Sequence, residues 1–316
     1  MTKPKIGILS PLLLGLMRQA GAQFEIVGIT DFEGPAAMAA AHPDLEAVVV
    51  IGGEKLAHAT VEAFPQLKVI AAFGVGYDGV DIAHANGRGI TVTNCPNANN
   101  EDVADHAVGI FLALVRSIVS GHQRVVSDGW THGNRGTMGP SLRQLKCGIV
   151  GMGAIGQSIA RRLPGFGITH IAWWGPNPKP ELALPRVDSV LELARTTDVL
   201  FMAGRADDTS RGIISAEVIE AIGPKGYLIN VSRGFTVDED ALIAALKDGR
   251  IAGAGLDVFE QEPTPGARWK DVPNTVLTPH VGGGGRGAIE AQTRMVLENL
   301  ALFFEGQPVK TPVIAR

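Results

Sequence analysis

The chain has 316 residues, 45% hydrophobic and 19% charged, enough apolar material for one or two folded domains and too much for bulk disorder. Lys and Arg number 28 against 32 Asp and Glu, a net charge of −4 with no basic block, which speaks against a nucleic-acid partner. Glycine is abundant at 40 residues, and only Cys95 and Cys147 are present, so a disulfide scaffold and a cysteine-rich zinc site are excluded.

Lys3 and Lys5 precede an apolar run over 6–17, and Ala20-Gly21-Ala22 has the outline of a leader-peptide cleavage site. Pro11 interrupts that run and Arg18 separates it from the site, so the segment reads as a strand over 5–10 followed by a short helix. No apolar stretch reaches about 18 residues, so no membrane-spanning helix is expected, and the chain reads as cytoplasmic. Strands are predicted over 24–30, 46–52, 67–74 and 89–94, with helical segments such as 54–64 between them. Short Val- and Ile-rich runs separated by helical patterns imply a parallel sheet covered on both faces.

Cys95-Pro-Asn-Ala-Asn-Asn100 is a turn-forming stretch. It opens a helix predicted over 101–120, with Asn100 as N-cap and Glu101 and Asp102 at the positive end of the dipole. Val103, Val108, Phe111, Leu112, Leu114 and Val115 surround much of this helix, so burial between domains or subunits is expected. A second alternating block follows, with strands over 147–150, 170–174, 198–203, 227–231, 251–255 and 275–278. A final helix over 286–304 closes the pattern.

Residues 148–156 read Gly-Ile-Val-Gly-Met-Gly-Ala-Ile-Gly, so Gly151, Gly153 and Gly156 form G-x-G-x-x-G between an apolar strand and a helix. In a dinucleotide site the first glycine makes the tight turn, the second lets backbone approach the pyrophosphate, and the third lets helix pack on strand. N–H groups at the helix start, around Ala154 and Ile155, would face the phosphate charge. In NAD sites a carboxylate about 20 residues on binds the ribose hydroxyls. The second strand here runs out through Trp174-Gly-Pro-Asn-Pro-Lys-Pro180 with no carboxylate before Glu181. That favours NADP, with NAD as the alternative, and makes Asn177 and Lys179 candidates for the 2′-phosphate.

Three polar residues occupy strand-end loops. Arg233 ends the strand over 227–231, where a guanidinium can hold a carboxylate through two parallel hydrogen bonds. Glu262 follows the strand over 251–255, and His280 follows that over 275–278. A His paired with a carboxylate is a natural general acid, because the negative neighbour favours imidazolium. The other histidines (His42, His58, His84, His106, His122, His132 and His170) lack such a setting and read as structural.

These pieces in this order resemble the D-isomer-specific 2-hydroxyacid dehydrogenases over nearly the whole chain. The resemblance rests on Gly74-Val-Gly76-Tyr-Asp78-Gly-Val-Asp81, Val103-Ala-Asp105-His-Ala107, the glycine motif, the segments 230–234 and 255–263, and Pro279–Gly283. Trp173–Pro180 and the loop 51–54 look most like the glyoxylate/hydroxypyruvate reductases.

The resemblance implies an α/β fold of two doubly wound parallel-sheet domains separated by a cleft. One is a flavodoxin-like substrate domain formed by 1–99 plus 287–316; the other is a Rossmann cofactor domain over 100–286. It gives Arg233 the substrate's carboxylate and carbonyl, His280 the proton for the carbonyl oxygen, and Glu262 the role of its partner. The loops at Ala203, Gly204 and Arg205 and at Val231, Ser232 and Arg233, with Asp257, His280 and Gly282, would line the cofactor. Asp257 would lie near the nicotinamide carboxamide. Backbone around Val75 and Gly76 and the Gly52–Gly53 loop would bind the carboxylate of a small 2-keto acid. A homodimer is implied, with the 101–120 region in its interface.

Two positions depart from the family pattern. Arg205 stands where a proline is usual, and could add affinity for a 2′-phosphate. Gly283 stands where a serine is frequent, leaving one hydroxyl fewer near the substrate. The alternatives are an NAD-linked reductase of another 2-keto acid, of D-lactate type, and a non-catalytic nucleotide-sensing scaffold of corepressor type.

Overall fold

The computed structural model describes residues 3–136 and 138–314. They fall into two compact units, Met1–Asn99 with Gly285–Arg316, and Asn100–Gly284; the chain returns to the first unit at Gly285 rather than at 287.

The chain begins with β1 (Lys5–Ile8), α1 (Pro11–Ala20), β2 (Glu25–Gly28), α2 (Pro35–Ala41), β3 (Ala47–Ile51), α3 (His58–Ala63), β4 (Val69–Phe73), α4 (Ile82–Gly87) and β5 (Thr91–Thr93). Pro11 occupies the first turn of α1, where its missing N–H costs nothing. The helix expected over 54–64 is shorter. Its first residues stay in a loop, where Glu54 N–H donates to the Ile51 carbonyl and Leu56 N–H to that of Gly79.

The second unit contains α5 (Asn100–Val115), α6 (Ile118–Val126), β6 (Lys146–Val150), α7 (Ala154–Arg162), β7 (His170–Trp174), α8 (Val190–Thr196) and β8 (Val199–Met202). It continues with α9 (Ala216–Ile222), β9 (Tyr227–Asn230), α10 (Glu239–Lys247), β10 (Gly253–Leu256), α11 (Gly266–Trp269) and β11 (Thr275–Leu277). The chain then re-enters the first unit with α12 (Arg286–Phe304) and β12 (Pro312–Val313).

The first sheet has the order β12-β5-β4-β3-β1-β2, parallel except for β12, which pairs antiparallel with β5. Apart from that edge strand it is the flavodoxin-like order. Its two faces are covered separately. Val48, Val50, Ile70 and Val92 pack on one side with Met38, Val61 and Phe64. Val49, Ala71 and Ile8 pack on the other with Leu14, Met17, Val296 and Leu300. Burial on both faces is why β3 reads as the continuous apolar run Ala-Val-Val-Val-Ile.

The second sheet has the order β11-β10-β9-β8-β6-β7, all parallel. A parallel bridge between Trp173 and Arg186 stands beyond β7, a remnant of the third strand of the Rossmann order. Strand order reverses between β6 and β8, so the loops after them, at Gly151 and Ala203–Gly204, form the switch point where open α/β sheets bind ligands.

The long helix expected over 101–120 is two helices. Ser117 takes a left-handed conformation (φ 52°) between α5 and α6, and the axis bends by 58° there. Asn100 lies inside the first turn rather than capping it. The buried side of α5 is spent on its own unit's sheet: Phe111 meets Phe201 edge-on at 5.5 Å, and Ile110 presses against Gly255. Beyond it, Ile118, Val119, Val125, Val126 and Trp130 expose large apolar side chains. Among the described residues no single helix is long and apolar enough to cross a membrane.

Candidate active site

The glycine motif has the local geometry its sequence requires. Gly151 sits at φ 93°, and a Cβ there would lie 2.1 Å from Gly204 Cα, so the loops after β6 and β8 touch only because the side chain is absent. A Cβ on Gly156 would meet the Gly151 carbonyl oxygen at 2.0 Å, which explains close packing of α7 on the turn. A Cβ on Gly153 would meet nothing within 4 Å; its backbone borders open space at the start of α7. Ala154 and Ile155 form the first turn of α7, whose leading N–H groups have no intrahelical acceptor. An open backbone, free N–H groups and a helix N-terminus together fit a dinucleotide pyrophosphate.

The loops after β8 and β9 are tied together. Ser232 Oγ donates to the Gly204 carbonyl at 2.6 Å, and Val231 N–H donates to the Met202 carbonyl at 3.2 Å. Ala203, Val231 and Ser232 are buried, whereas Arg205 is exposed and sits in the electrostatic field of Asp207. Asn177 and Lys179 follow β7, with Asn177 exposed and Lys179 half-buried.

Arg186 joins them there, a residue that sequence reasoning missed. Its Nη2 and Nε donate to the Gly175 carbonyl at 2.9 and 3.3 Å, and its guanidinium lies 5.9 Å from the Trp173 ring centroid. The sequence held no sign of this, because the bridge to Trp173 that brings Arg186 beside β7 is a tertiary feature.

Arg233, Glu262 and His280 come together at the carboxyl ends of β9, β10 and β11. The Arg233 carbonyl is held by Asn230 Nδ2 at 3.0 Å and by Thr236 Oγ1 at 2.6 Å. Next to it, a Cβ on Gly234 would lie 1.8 Å from the Phe259 carbonyl carbon, so the loop after β9 passes directly against the one that carries Glu262. Glu262 Oε1 accepts from Phe259 N–H at 2.9 Å, and Oε2 lies 2.6 Å from His280 Nδ1. Burial works against charge on the Glu262 carboxyl. The hydrogen bonds from His280 and from Phe259 N–H, with the positive field of Arg233, outweigh it and hold this carboxyl below the usual carboxylate range.

His280 has φ 54°, a left-handed conformation that costs a residue with a side chain about 1–2 kcal/mol. Its N–H donates to the Asp257 carbonyl at 2.8 Å. Asp257, expected near the cofactor's carboxamide, directs its buried carboxylate inward to the chain beside His280: Gly282 N–H donates to Oδ2 at 2.8 Å and Thr278 Oγ1 to Oδ1 at 2.6 Å. Gly282 therefore enters the site with its N–H already engaged. His106, read as structural from sequence, also reaches this group: its Nε2 lies 2.9 Å from Thr278 Oγ1.

In the first unit the loops expected to bind a carboxylate follow β3 and β4. The N–H groups of Gly53, Val75 and Gly76 meet no acceptor among the described residues and are available to a ligand. Gly52 differs: its N–H donates to the Phe73 carbonyl at 3.0 Å. Its part is steric, because a Cβ there would lie 2.0 Å from the Gly76 carbonyl oxygen.

Residues 108–282 match the family described as D-isomer specific 2-hydroxyacid dehydrogenase, NAD binding domain. A 2-ketogluconate reductase of Gluconobacter oxydans (strain 621H) is 34% identical over 313 residues, 99% of each chain. A glyoxylate/hydroxypyruvate reductase A of Arabidopsis thaliana is 38% identical over 254 residues, 80% of each chain. The crystal structure of an NADPH-dependent glyoxylate/hydroxypyruvate reductase from Sinorhizobium meliloti, in complex with NADP and malonate, is 37% identical with a TM-score of 0.88. The match covers 99% of this chain and 97% of that one.

Proposed function

The chain belongs to the D-isomer-specific 2-hydroxyacid dehydrogenases, NAD(P)-dependent enzymes that interconvert 2-keto and 2-hydroxy acids, and on that footing we propose that it reduces glyoxylate and hydroxypyruvate with NADPH. The observation that carries the catalytic part is the 2.6 Å contact between His280 Nδ1 and Glu262 Oε2, within the field of Arg233.

Bound at the Gly151–Gly156 turn, the nicotinamide cofactor would supply hydride to the carbonyl carbon. The residues handle the charge that then develops on oxygen. Glu262 accepts the Nδ1 hydrogen of His280; in the imidazolium form Nε2 also carries a hydrogen, which it gives to that oxygen, leaving the neutral Nδ1–H ring. Arg233 holds the substrate carboxylate and stabilises the developing oxyanion. In the first unit, proposed as the substrate domain, the N–H groups of Gly53, Val75 and Gly76 are the carboxylate donors. Asp257 and Gly282 shape the nicotinamide end of the cofactor site.

The preference for NADPH rests on the absence of a carboxylate between Trp174 and Pro180 and on four polar or basic side chains: Asn177, Lys179, Arg186 and Arg205. A homodimer is also part of the reading. The exposed apolar side chains of α6, with Trp130, are its proposed contact surface rather than α5, whose apolar side is already covered.

The test is a set of initial rates with glyoxylate, hydroxypyruvate and pyruvate, each with NADPH and NADH, beside a His280→Ala control. Reduction of glyoxylate or hydroxypyruvate with NADPH that the control loses is the expected result. No turnover with any pair, despite cofactor binding, would overturn it.

A further inference from the structure

Asp257 spends its main chain and its carboxylate on the segment that carries His280. Its carbonyl accepts from His280 N–H at 2.8 Å; Oδ1 accepts from Thr278 Oγ1 at 2.6 Å and Val281 N–H at 3.0 Å; Oδ2 accepts from Gly282 N–H at 2.8 Å. Each residue from 278 to 282 except Pro279, which has no N–H, is thus tied to this one aspartate. The carboxylate is only 4% exposed, so it depends on donors from the chain.

A further side chain reaches that carboxylate from a separate element. His106, on α5, places Nε2 3.2 Å from Asp257 Oδ1 and 2.9 Å from Thr278 Oγ1. The hydroxyl hydrogen of Thr278 goes to Asp257, and carboxylate oxygens only accept, so Nε2 carries a hydrogen and donates. The ring is also a wall of the turn. A Cβ on Gly282 would come within 2.8 Å of Asp257 Oδ2 and 3.2 Å of His106 Cδ2, so glycine is needed where the segment passes them.

We infer that His106 is a positioning residue for His280. By donating to the Asp257–Thr278 pair it keeps the 278–282 turn closed and holds His280 in the left-handed conformation that presents its ring to Glu262. Without that donor the turn loosens, His280 relaxes toward negative φ, and its imidazole leaves Glu262 Oε2. The kinetic consequence rests on the reductase reading; the structural one does not.

The experiment compares wild type, His106→Ala and His106→Gln by amide hydrogen exchange and by steady-state kinetics. Gln keeps an N–H donor on a side chain long enough to reach Thr278 and Asp257. His106→Asn, whose amide is too short, is a second loss variant if the alanine variant does not fold. In the loss variant, exchange at 280–282 should rise about tenfold while the sheet amides stay protected, and His106→Gln should restore protection. In the same variant kcat for 2-keto acid reduction should fall about tenfold with a smaller change in the KM for NADPH, and Gln should recover most of the loss in kcat.

Unchanged exchange at 280–282 in the loss variant would overturn the inference. So would an unchanged kcat in an active enzyme, or a loss that appears only in the KM for NADPH. If wild type reduces no 2-keto acid at all, the reductase reading falls, and the exchange comparison still decides the positioning of His280.

Discussion

His280 Nδ1 lies 2.6 Å from Glu262 Oε2 although the two residues leave the sheet in different loops. Those loops follow β10 and β11, parallel neighbours paired with Leu256 opposite Leu277. Glu262 is pinned from its own side, because Oε1 accepts from Phe259 N–H at 2.9 Å. His280 is pinned from the other side by the Asp257 carbonyl at 2.8 Å. The pair is therefore held by hydrogen bonds from both sides, the positioning that the proposed general-acid role needs.

Replacing His280 with alanine should lower kcat/KM for 2-keto acid reduction by about 10²–10⁴-fold, the usual worth of a positioned general acid. Glu262→Gln should cost less, about tenfold to a hundredfold, because the ring keeps its proton donor and loses only its charged partner. Steady-state rates of the two variants check this order.

The Glu262 carboxyl is held below its ordinary range, first against burial and then by His280, Phe259 N–H and Arg233. A depressed folded pKa stabilises the fold above the unfolded value, about 4.3 for Glu, and that contribution disappears as pH falls through the folded value. Thermal melts of wild type and Glu262→Gln should therefore differ most near neutral pH and converge below about pH 4. A gap that persists unchanged into acid would refute the assignment.

Gly234→Ala should be damaging although the position carries no functional group. The added Cβ would lie 1.8 Å from the Phe259 carbonyl carbon and 2.0 Å from its oxygen, and both are backbone atoms. A loss of about 1–3 kcal/mol or more is expected, together with lost activity, since the displaced loop carries Glu262. Gly287→Ala is the control: its Cβ meets nothing within 4 Å and it lies in α12, so stability should hold or rise by up to about 1 kcal/mol. Denaturant unfolding measures both.

Arg186→Ala should raise the KM for NADPH about tenfold and leave that for NADH within about twofold, in keeping with the worth of a charged hydrogen bond to phosphate. Arg205→Ala should act in the same direction. An unchanged KM for NADPH in either variant removes that residue from the 2′-phosphate site.

Neither cysteine should behave as a reactive thiol. Burial pushes the Cys147 thiol up to about 12, aided by Asp198, and raises that of Cys95. An aromatic disulfide reagent at pH 8 should find almost no thiol in the native protein within minutes, and two per chain after denaturation.

Much of this was legible along the chain. The continuous apolar runs that became β3, β4 and β6 mark strands buried on both faces, because a parallel sheet under helices leaves no polar side. Gly151, Gly153 and Gly156 pointed to a dinucleotide turn because their spacing falls between an apolar strand and a helix. Arg233, Glu262 and His280 could be singled out because each follows an apolar strand, which is where open α/β sheets carry their ligands. The break at Ser117 was not legible: apolar content continues past it, and helix propensity does not register a single left-handed residue.

What the sequence determined by itself was local: which segments bury both faces, where glycine is obligatory, and which polar side chains stand at strand ends. Tertiary structure decided what no spacing encodes. It carried Arg186 back beside β7, brought His106 from α5 to Asp257, and used the Gly52 N–H for the sheet while leaving that of Gly53 open. The physical reason is the same in each case. A hydrogen bond or an ion pair acts over about 3 Å, and only the folded chain brings residues distant in sequence within that range.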